Sequence, residues 1–213
     1  MSSSPVVVVL AAGRGSRYEG PGDKLSQPLL DASVLGTTLA HVIESRLPLV
    51  VVTTPALAEE AARMVALRDV VVLPSAEAQR GVAHSIVAGV RARADAPGWL
   101  LLPADMPLVQ AETLRAVAAA LPGHAGVVPY HGGRRGYPVA LSAELFSELM
   151  RLSGDDGPRR LLMRYPARAL ELADPGVLID IDTEGDLVAA RDAAAQMPGS
   201  ALAPDQTRSR ALS

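Results

Sequence analysis

The chain has no cysteine among its 213 residues, so disulfides, thiolate metal sites and cysteine nucleophiles are excluded. Aromatic residues are scarce, with one Trp, one Phe and four Tyr, so the core must be aliphatic and ring stacking has few sources. No apolar run approaches the ~20 residues that span a bilayer, and no basic stretch of the signal-peptide kind opens the chain. The expectation is a cytoplasmic protein with no membrane association. A net charge of −3 offers no bulk attraction to nucleic acid, so no nucleic-acid partner is expected either. Basic residues gather locally instead, at Arg14, Arg17 and Lys24, at Arg134 and Arg135, and at Arg159 and Arg160. Local basic clusters in a weakly acidic chain point to a small anionic ligand.

Apolar runs alternate with helix-like stretches. Val6 to Leu10, Leu49 to Thr53, Val70 to Leu73 and Trp99 to Leu102 read as buried strands. Thr38 to Arg46, Pro55 to about Leu67, and the stretch from Gly81 through Arg91 read as helices. Continuous apolar strands separated by helices mark a parallel sheet covered on both faces. The expected fold class is α/β, a Rossmann-like three-layer α/β/α sandwich with a mostly parallel sheet. Further on, Gly126 to Tyr130, Tyr137 to Leu141 and Val177 to Ile181 read as strands. Ala143 to Leu152, Pro158 to Tyr165 and Thr183 to Gln196 read as helices. Residues 1–196 are expected to form one domain. In residues 197–213, Pro, Ser, Ala and charged residues replace any period, and a disordered tail is expected.

The first strand empties into Leu10-Ala11-Ala12-Gly13-Arg14-Gly15-Ser16-Arg17, with Lys24 a few residues on. Glycines let backbone N–H groups approach phosphate oxygens closely and permit the positive φ of a tight cradle. Arg14, Arg17 and Lys24 supply the opposing charge. The spacing matches neither the P-loop nor the Gly-x-Gly-x-x-Gly dinucleotide fingerprint. In an open α/β sheet, ligands bind beyond the carboxyl ends of the strands. Asp105 falls there, and so does the Asp180-Ile181-Asp182 run, whose two carboxylates share one face if the segment is a strand. Carboxylates facing a phosphate cradle suit Mg²⁺, which takes one or two carboxylates plus substrate phosphates. The alternatives are that Asp182 caps the following helix and that Asp105 is a turn residue.

Leu10-Ala11-Ala12-Gly13-x-Gly-Ser-Arg17 with Lys24 resembles the signature loop of the MobA-like nucleotidyltransferases. Asp105-Met106-Pro107 resembles that family's aspartate motif. Gly133-Arg134-Arg135-Gly136-Tyr137-Pro138-Val139 is similar to the Gly-x-x-Gly-His-Pro-Val segment of its molybdenum cofactor cytidylyltransferase branch. Gly154-Asp155-Asp156-Gly157-Pro158-Arg159 and Asp180-Ile181-Asp182-Thr183 with Asp186-Leu187 resemble two further motifs of that branch. Ala104 replaces the usual glycine before the aspartate, Tyr137 replaces the usual histidine, and Gly81 and Ser85 keep only the ends of a Gly-Met-Ser-Ser-Ser stretch.

The resemblance implies a nucleotide-diphospho-sugar transferase-like fold and transfer of CMP from CTP to molybdopterin or its molybdenum-loaded form, with release of pyrophosphate. It implies Lys24, Arg17 and Asp105 as catalytic residues. Leu10, Ala11, Ala12, Gly13, Arg14, Gly15, Ser16, Gly81 and Ser85 would bind the nucleotide. Arg135, Gly136, Tyr137 and Asp155 would meet the acceptor, and Asp105, Asp182 and Asp180 would hold Mg²⁺. Ala11-Ala12-Gly13 favours CTP. A molybdoenzyme or its chaperone is the implied protein partner. A guanylyltransferase or another phosphometabolite nucleotidyltransferase keeps the chemistry with a different base or acceptor. A non-catalytic nucleotide-binding delivery partner would abandon it.

Overall fold

The computed structural model describes residues 4–13, 15 and 17–196; the expected tail at 197–213, together with Arg14 and Ser16, lies outside them. The strands are β1 (Val6–Ala11), β2 (Pro28–Leu29), β3 (Ala32–Ser33), β4 (Leu49–Thr53), β5 (Val70–Val72), β6 (Gly98–Pro103), β7 (Gly126–His131), β8 (Arg134–Arg135), β9 (Val139–Ser142) and β10 (Ala167–Glu171). The helices are α1 (Val34–Glu44), α2 (Pro55–Met64), α3 (Ser75–Ala78), α4 (Val82–Ala92), α5 (Ala111–Ala120), α6 (Phe146–Leu149), α7 (Pro158–Leu162) and α8 (Glu184–Gln196).

Among the described residues, one mixed sheet runs β10-β7-β9-β6-β1-β4-β5, with β8 beside β7. β1 pairs in parallel with β4 on one side and β6 on the other, β4 with β5, and β10 with β7. β9 is antiparallel to both β6 and β7. The sheet is the mostly parallel one expected, with this one reversed strand inserted.

Alternation along the central strands builds two cores. Val7, Val9 and Ala11 of β1 join Leu100 and Leu102 of β6 in a cluster covered by α1, α2, α5 and α8. Val6 and Val8 join Trp99 and Leu101 on the other face, beneath α3, α4, α6 and α7. Successive side chains of a strand point to opposite faces, so an unbroken run of valines is what a sheet covered twice requires. The Ser33 hydroxyl accepts from Gly36 N at 2.8 Å, so α1 starts ahead of the expected Thr38.

The expected strand at Val177–Ile181 is not one. Pro175–Leu178 is a 3₁₀ turn capped by Asp174, and Ile179 to Asp182 run irregularly to α8. Asp174-Pro175-Gly176 favours the turn, because proline presets φ and the aspartate accepts from Gly176 N at 2.8 Å. The helix expected at Ala143–Leu152 is a 3₁₀ turn followed by the short α6.

β1 is the point where the chain's direction across the sheet reverses: the path leaves it toward β4 and β5, then returns to β6 on its other flank. Such a switch point leaves a crevice at the carboxyl ends of the two strands. Leu10 lies opposite Pro103, and Ala104 N donates to Leu10 O at 3.1 Å. The loop after β1 and the loop after β6 therefore leave the sheet side by side.

Candidate active site

The crevice is a cleft of about 340 Å³ lined by Leu10, Ala12, Gly13, Gly15, Arg17, Asp23, Lys24, Leu25, Ala78, Gly81, Val82, Asp105, Asp155 and Asp182. Gly15 has φ +55°, the conformation expected of a phosphate-cradling turn. Lys24 opens a 3₁₀ turn, Lys24–Ser26, capped by Asp23 Oδ1, which accepts from Leu25 N at 2.8 Å. Leu25 is buried in the core and anchors that turn. Lys24 is consequently almost wholly buried, with its ammonium in the cleft.

Lys24 Nζ donates to Asp105 Oδ2 at 2.6 Å and to Asp182 Oδ1 at 3.0 Å. Arg17 Nη1 sits 2.6 Å from Asp182 Oδ2. Burial alone would lower the Lys24 pKa, but the Asp105 and Asp182 carboxylates outweigh it and hold the ammonium above its usual value. The Asp180 carboxyl is pushed up, first by burial and then by the neighbouring Asp182 carboxylate. Asp180 does not line the cleft.

Asp182 does not cap α8. Asp186 N donates to Thr183 Oγ1 at 3.1 Å, and Asp186 Oδ2 accepts from Thr183 N at 2.8 Å, a reciprocal box in which Thr183 is the cap. The Thr183 hydroxyl on Asp186 keeps that carboxyl below the usual range. The Asp182 side chain is thereby left to the cleft.

Among the described residues, no three His, Asp or Glu side chains converge as a metal cage in their own right. The donor set nevertheless fits a hard divalent cation that arrives with a nucleotide, since two carboxylates plus phosphate oxygens suffice. Asp105 Oδ1 is buried without a hydrogen-bond partner, a state that costs free energy unless another group satisfies the oxygen.

The remaining expected residues divide. Leu10, Ala12, Gly13 and Gly15 reach the cleft; Ala11 points into the core instead. Gly81, with φ +121°, lies so close to the 153–157 loop that a Cβ would overlap Gly154 O, and Ala83 N donates to that oxygen at 3.1 Å. This seating brings Asp155 to the α4 end of the cleft. Ser85 does not reach it: the residue falls on the buried stripe of α4 with Ala83, Ile86, Gly89 and Val90.

Arg135, Gly136 and Tyr137 also lie outside the cleft lining. Tyr137 is half-buried, and its N–H donates to Val177 O at 3.0 Å. Burial raises its phenol pKa; Arg135 opposes this while Asp105 and Asp180 add to it. Tyr137 thus lies within reach of the Asp105 and Asp180 charges, and it packs against both cores. Asp23, Leu25, Ala78 and Val82 line the cleft without having been read as site residues. Chain proximity could have flagged Asp23 and Leu25 beside Lys24 and Val82 beside Gly81; nothing in the sequence marks Ala78.

Residues 7–169 match the MobA-like NTP transferase domain. The crystal structure of Rv0371c from Mycobacterium tuberculosis is similar with a TM-score of 0.76 and 32% identity, over 90% of this chain and 99% of that one. Rv0371c has also been crystallised in complex with manganese. The purine catabolism protein PucB of Bacillus subtilis is 36% identical over 119 residues, 53% of this chain, and the match spans only 58% of PucB. The molybdenum cofactor cytidylyltransferase of Escherichia coli is 22% identical over 186 residues, 87% of this chain and 94% of that protein. A match that runs from β1 into β10 and takes in the loops after both β1 and β6 is a family relationship: the chain belongs to the MobA-like NTP transferase domain family.

Proposed function

We propose that this protein is a divalent-metal-dependent nucleotidyltransferase that moves CMP from CTP to a molybdopterin-type acceptor, releasing pyrophosphate. The observation that carries the reading is the meeting of Lys24 with Asp105 and Asp182 beside the glycine loop, at the switch point of the sheet. A cation set between two carboxylates weighs against a site that only binds nucleotide. The domain carrying this activity extends through α8.

In the proposed reaction an acceptor phosphate oxygen attacks the α-phosphorus of CTP. A P–O bond forms to the acceptor, and the bond to the β-phosphate oxygen breaks with its electrons leaving on pyrophosphate. Such displacements depend on in-line positioning and neutralisation of charge. Backbone donors of the loop through Gly13 and Gly15, with Arg14, Ser16 and Arg17, hold the triphosphate. Lys24 keeps its proton and offers the α-phosphate a fixed positive charge. Asp105 and Asp182 would hold Mg²⁺ or a similar ion, with Asp180 behind them, and a bound ion supplies charge neutralisation on the phosphate oxygens. Gly81 and Val82 close the far end of the cleft around the nucleoside. Arg135, Gly136 and Tyr137 would meet the acceptor from outside the cleft lining, and Asp155 would meet it from within the cleft, beside Gly81.

A second reading keeps the chemistry and changes the acceptor. PucB matches at higher identity than the cytidylyltransferase, although over a shorter stretch, and Tyr137 stands where the cytidylyltransferase branch has histidine. The experiment that separates the two is pyrophosphate release from CTP, GTP, UTP and ATP with Mg²⁺, with and without molybdopterin. Release from CTP that requires molybdopterin supports the first reading. Release that requires another phosphate-bearing acceptor supports the second. No release under any of these combinations would contradict the first reading; if no release followed with sugar phosphates and other phosphate-bearing acceptors either, the second would fall as well.

A further inference from the structure

Asp105 follows a central strand, but Asp182 follows a segment with no strand pairing of its own. Something other than the sheet must hold the second carboxylate in register with the first. Ile181 N donates to Asp105 O at 2.9 Å, a direct tie between the two segments. A second tie centres on Asp174. Its Oδ1 accepts from Gly176 N at 2.8 Å, and its Oδ2 accepts from Gln110 N at 3.0 Å and from the Thr113 hydroxyl at 2.6 Å. One carboxylate thus caps the 3₁₀ turn leading toward Asp182 and, across the chain, the N-terminus of α5, the helix that follows Asp105. Gly176 packs so tightly on Leu108 that a Cβ would overlap the Leu108 carbonyl, so the turn rests directly on the segment after Asp105.

From these contacts we infer that Asp174 is a positioning residue that fixes the Asp105 and Asp182 carboxylates relative to each other. The inference rests on the reading of that pair as metal-binding. Asp174 itself does not line the cleft and touches no reacting group. It acts by length and charge. A carboxylate accepting three hydrogen bonds, with one oxygen on a helix N-terminus, makes charge-assisted bonds roughly twice as strong as neutral ones. Asn in its place keeps the shape but turns one acceptor into a donor that faces either Gly176 N–H or Gln110 N–H. The tie then loosens while the fold remains.

The test is Mn²⁺ affinity in the presence of α,β-methylene CTP, measured for the full chain and three variants. Asp174→Asn should weaken Mn²⁺ binding by up to about 10-fold, the low end of the range for loss of a partner bonded directly to a ligand, since Asp174 acts one bond further out, with a fall in kcat and little change in the KM for CTP. Thr113→Val, which removes one of the three bonds, should fall between wild type and Asp174→Asn. Val117→Ala, a core change in α5, should lower Tm without weakening Mn²⁺ binding. Equal Mn²⁺ affinity in wild type and Asp174→Asn would overturn the inference, as would a comparable loss in Val117→Ala. Absence of Mn²⁺ binding by the wild type would overturn the metal reading and the positioning role together.

Discussion

Lys24 Nζ lies 2.6 Å from Asp105 Oδ2, and the same ammonium reaches Asp182. On the proposed reading, the cation that would meet a phosphate is bonded to the two carboxylates that would hold the metal. Nucleotide and metal should then bind cooperatively, because drawing Lys24 onto phosphate releases both carboxylates. Lys24→Met removes the competing charge. It should tighten Mn²⁺ binding without nucleotide by about tenfold or more, the order expected from deleting one nearby unit charge. It should also abolish most transfer activity and lower Tm, because partners of a buried ion pair are left uncompensated. Calorimetric titration with Mn²⁺, with and without nucleotide, checks this directly.

Asp105→Asn and Asp182→Asn should separate binding from turnover. Each should lower kcat by about 100- to 1,000-fold, the cost of losing one preorganised electrostatic group, while a CTP analogue still binds without metal. Asp180→Asn should do much less, since Asp180 stands outside the cleft lining. Single-turnover rates for the three variants provide the comparison.

Gly81→Ala places a methyl group against Gly154 O at a backbone conformation that L residues rarely adopt. The expected cost is about 1–3 kcal/mol of stability. The 153–157 loop must move, so the KM for the nucleotide should rise more than kcat falls. Urea denaturation and initial-rate kinetics report the two effects separately.

The Tyr137 phenol is held above its usual value, with burial as the leading cause. Because the folded form keeps this proton longer than the unfolded chain does, no penalty arises below about pH 10, the unfolded value. As pH rises from there through the higher folded value, the folded state loses stability relative to the unfolded state. The stability difference between wild type and Tyr137→Phe should be flat from neutral pH to about 10 and then move in favour of Phe. Denaturation midpoints across alkaline pH measure it.

The central strands were legible because each is buried on both faces and so carries an unbroken apolar run: Leu49–Thr53 is as read, Val6–Leu10 extends by one residue to Ala11, and Trp99–Leu102 extends by one residue at each end. The edge was not legible. β10, Ala-Arg-Ala-Leu-Glu, has no buried residue and looks like a helix former; its pairing with β7 makes it a strand. α5 went unread between two better-marked strands, and the two-residue β8 carries no signal of its own. At the site, the glycine loop, Lys24 and the two aspartates could be read because their chemistry depends on residue type. Asp174 could not, because its partners Gln110 and Thr113 are brought to it only by the fold. Ser85 is read from the Gly81–Ser85 stretch's likeness to a motif, and only the packing of α4 shows its side chain buried on the helix's inner stripe.

The most direct test of the account follows the α-phosphate itself. CTP radiolabelled at the α-position is incubated with Mg²⁺, molybdopterin and either wild type or Lys24→Met. The account predicts label in a CMP–acceptor conjugate, one pyrophosphate released per conjugate, and loss of both in the variant. Label left in CTP, or found in free CMP whether or not molybdopterin is present, would contradict it.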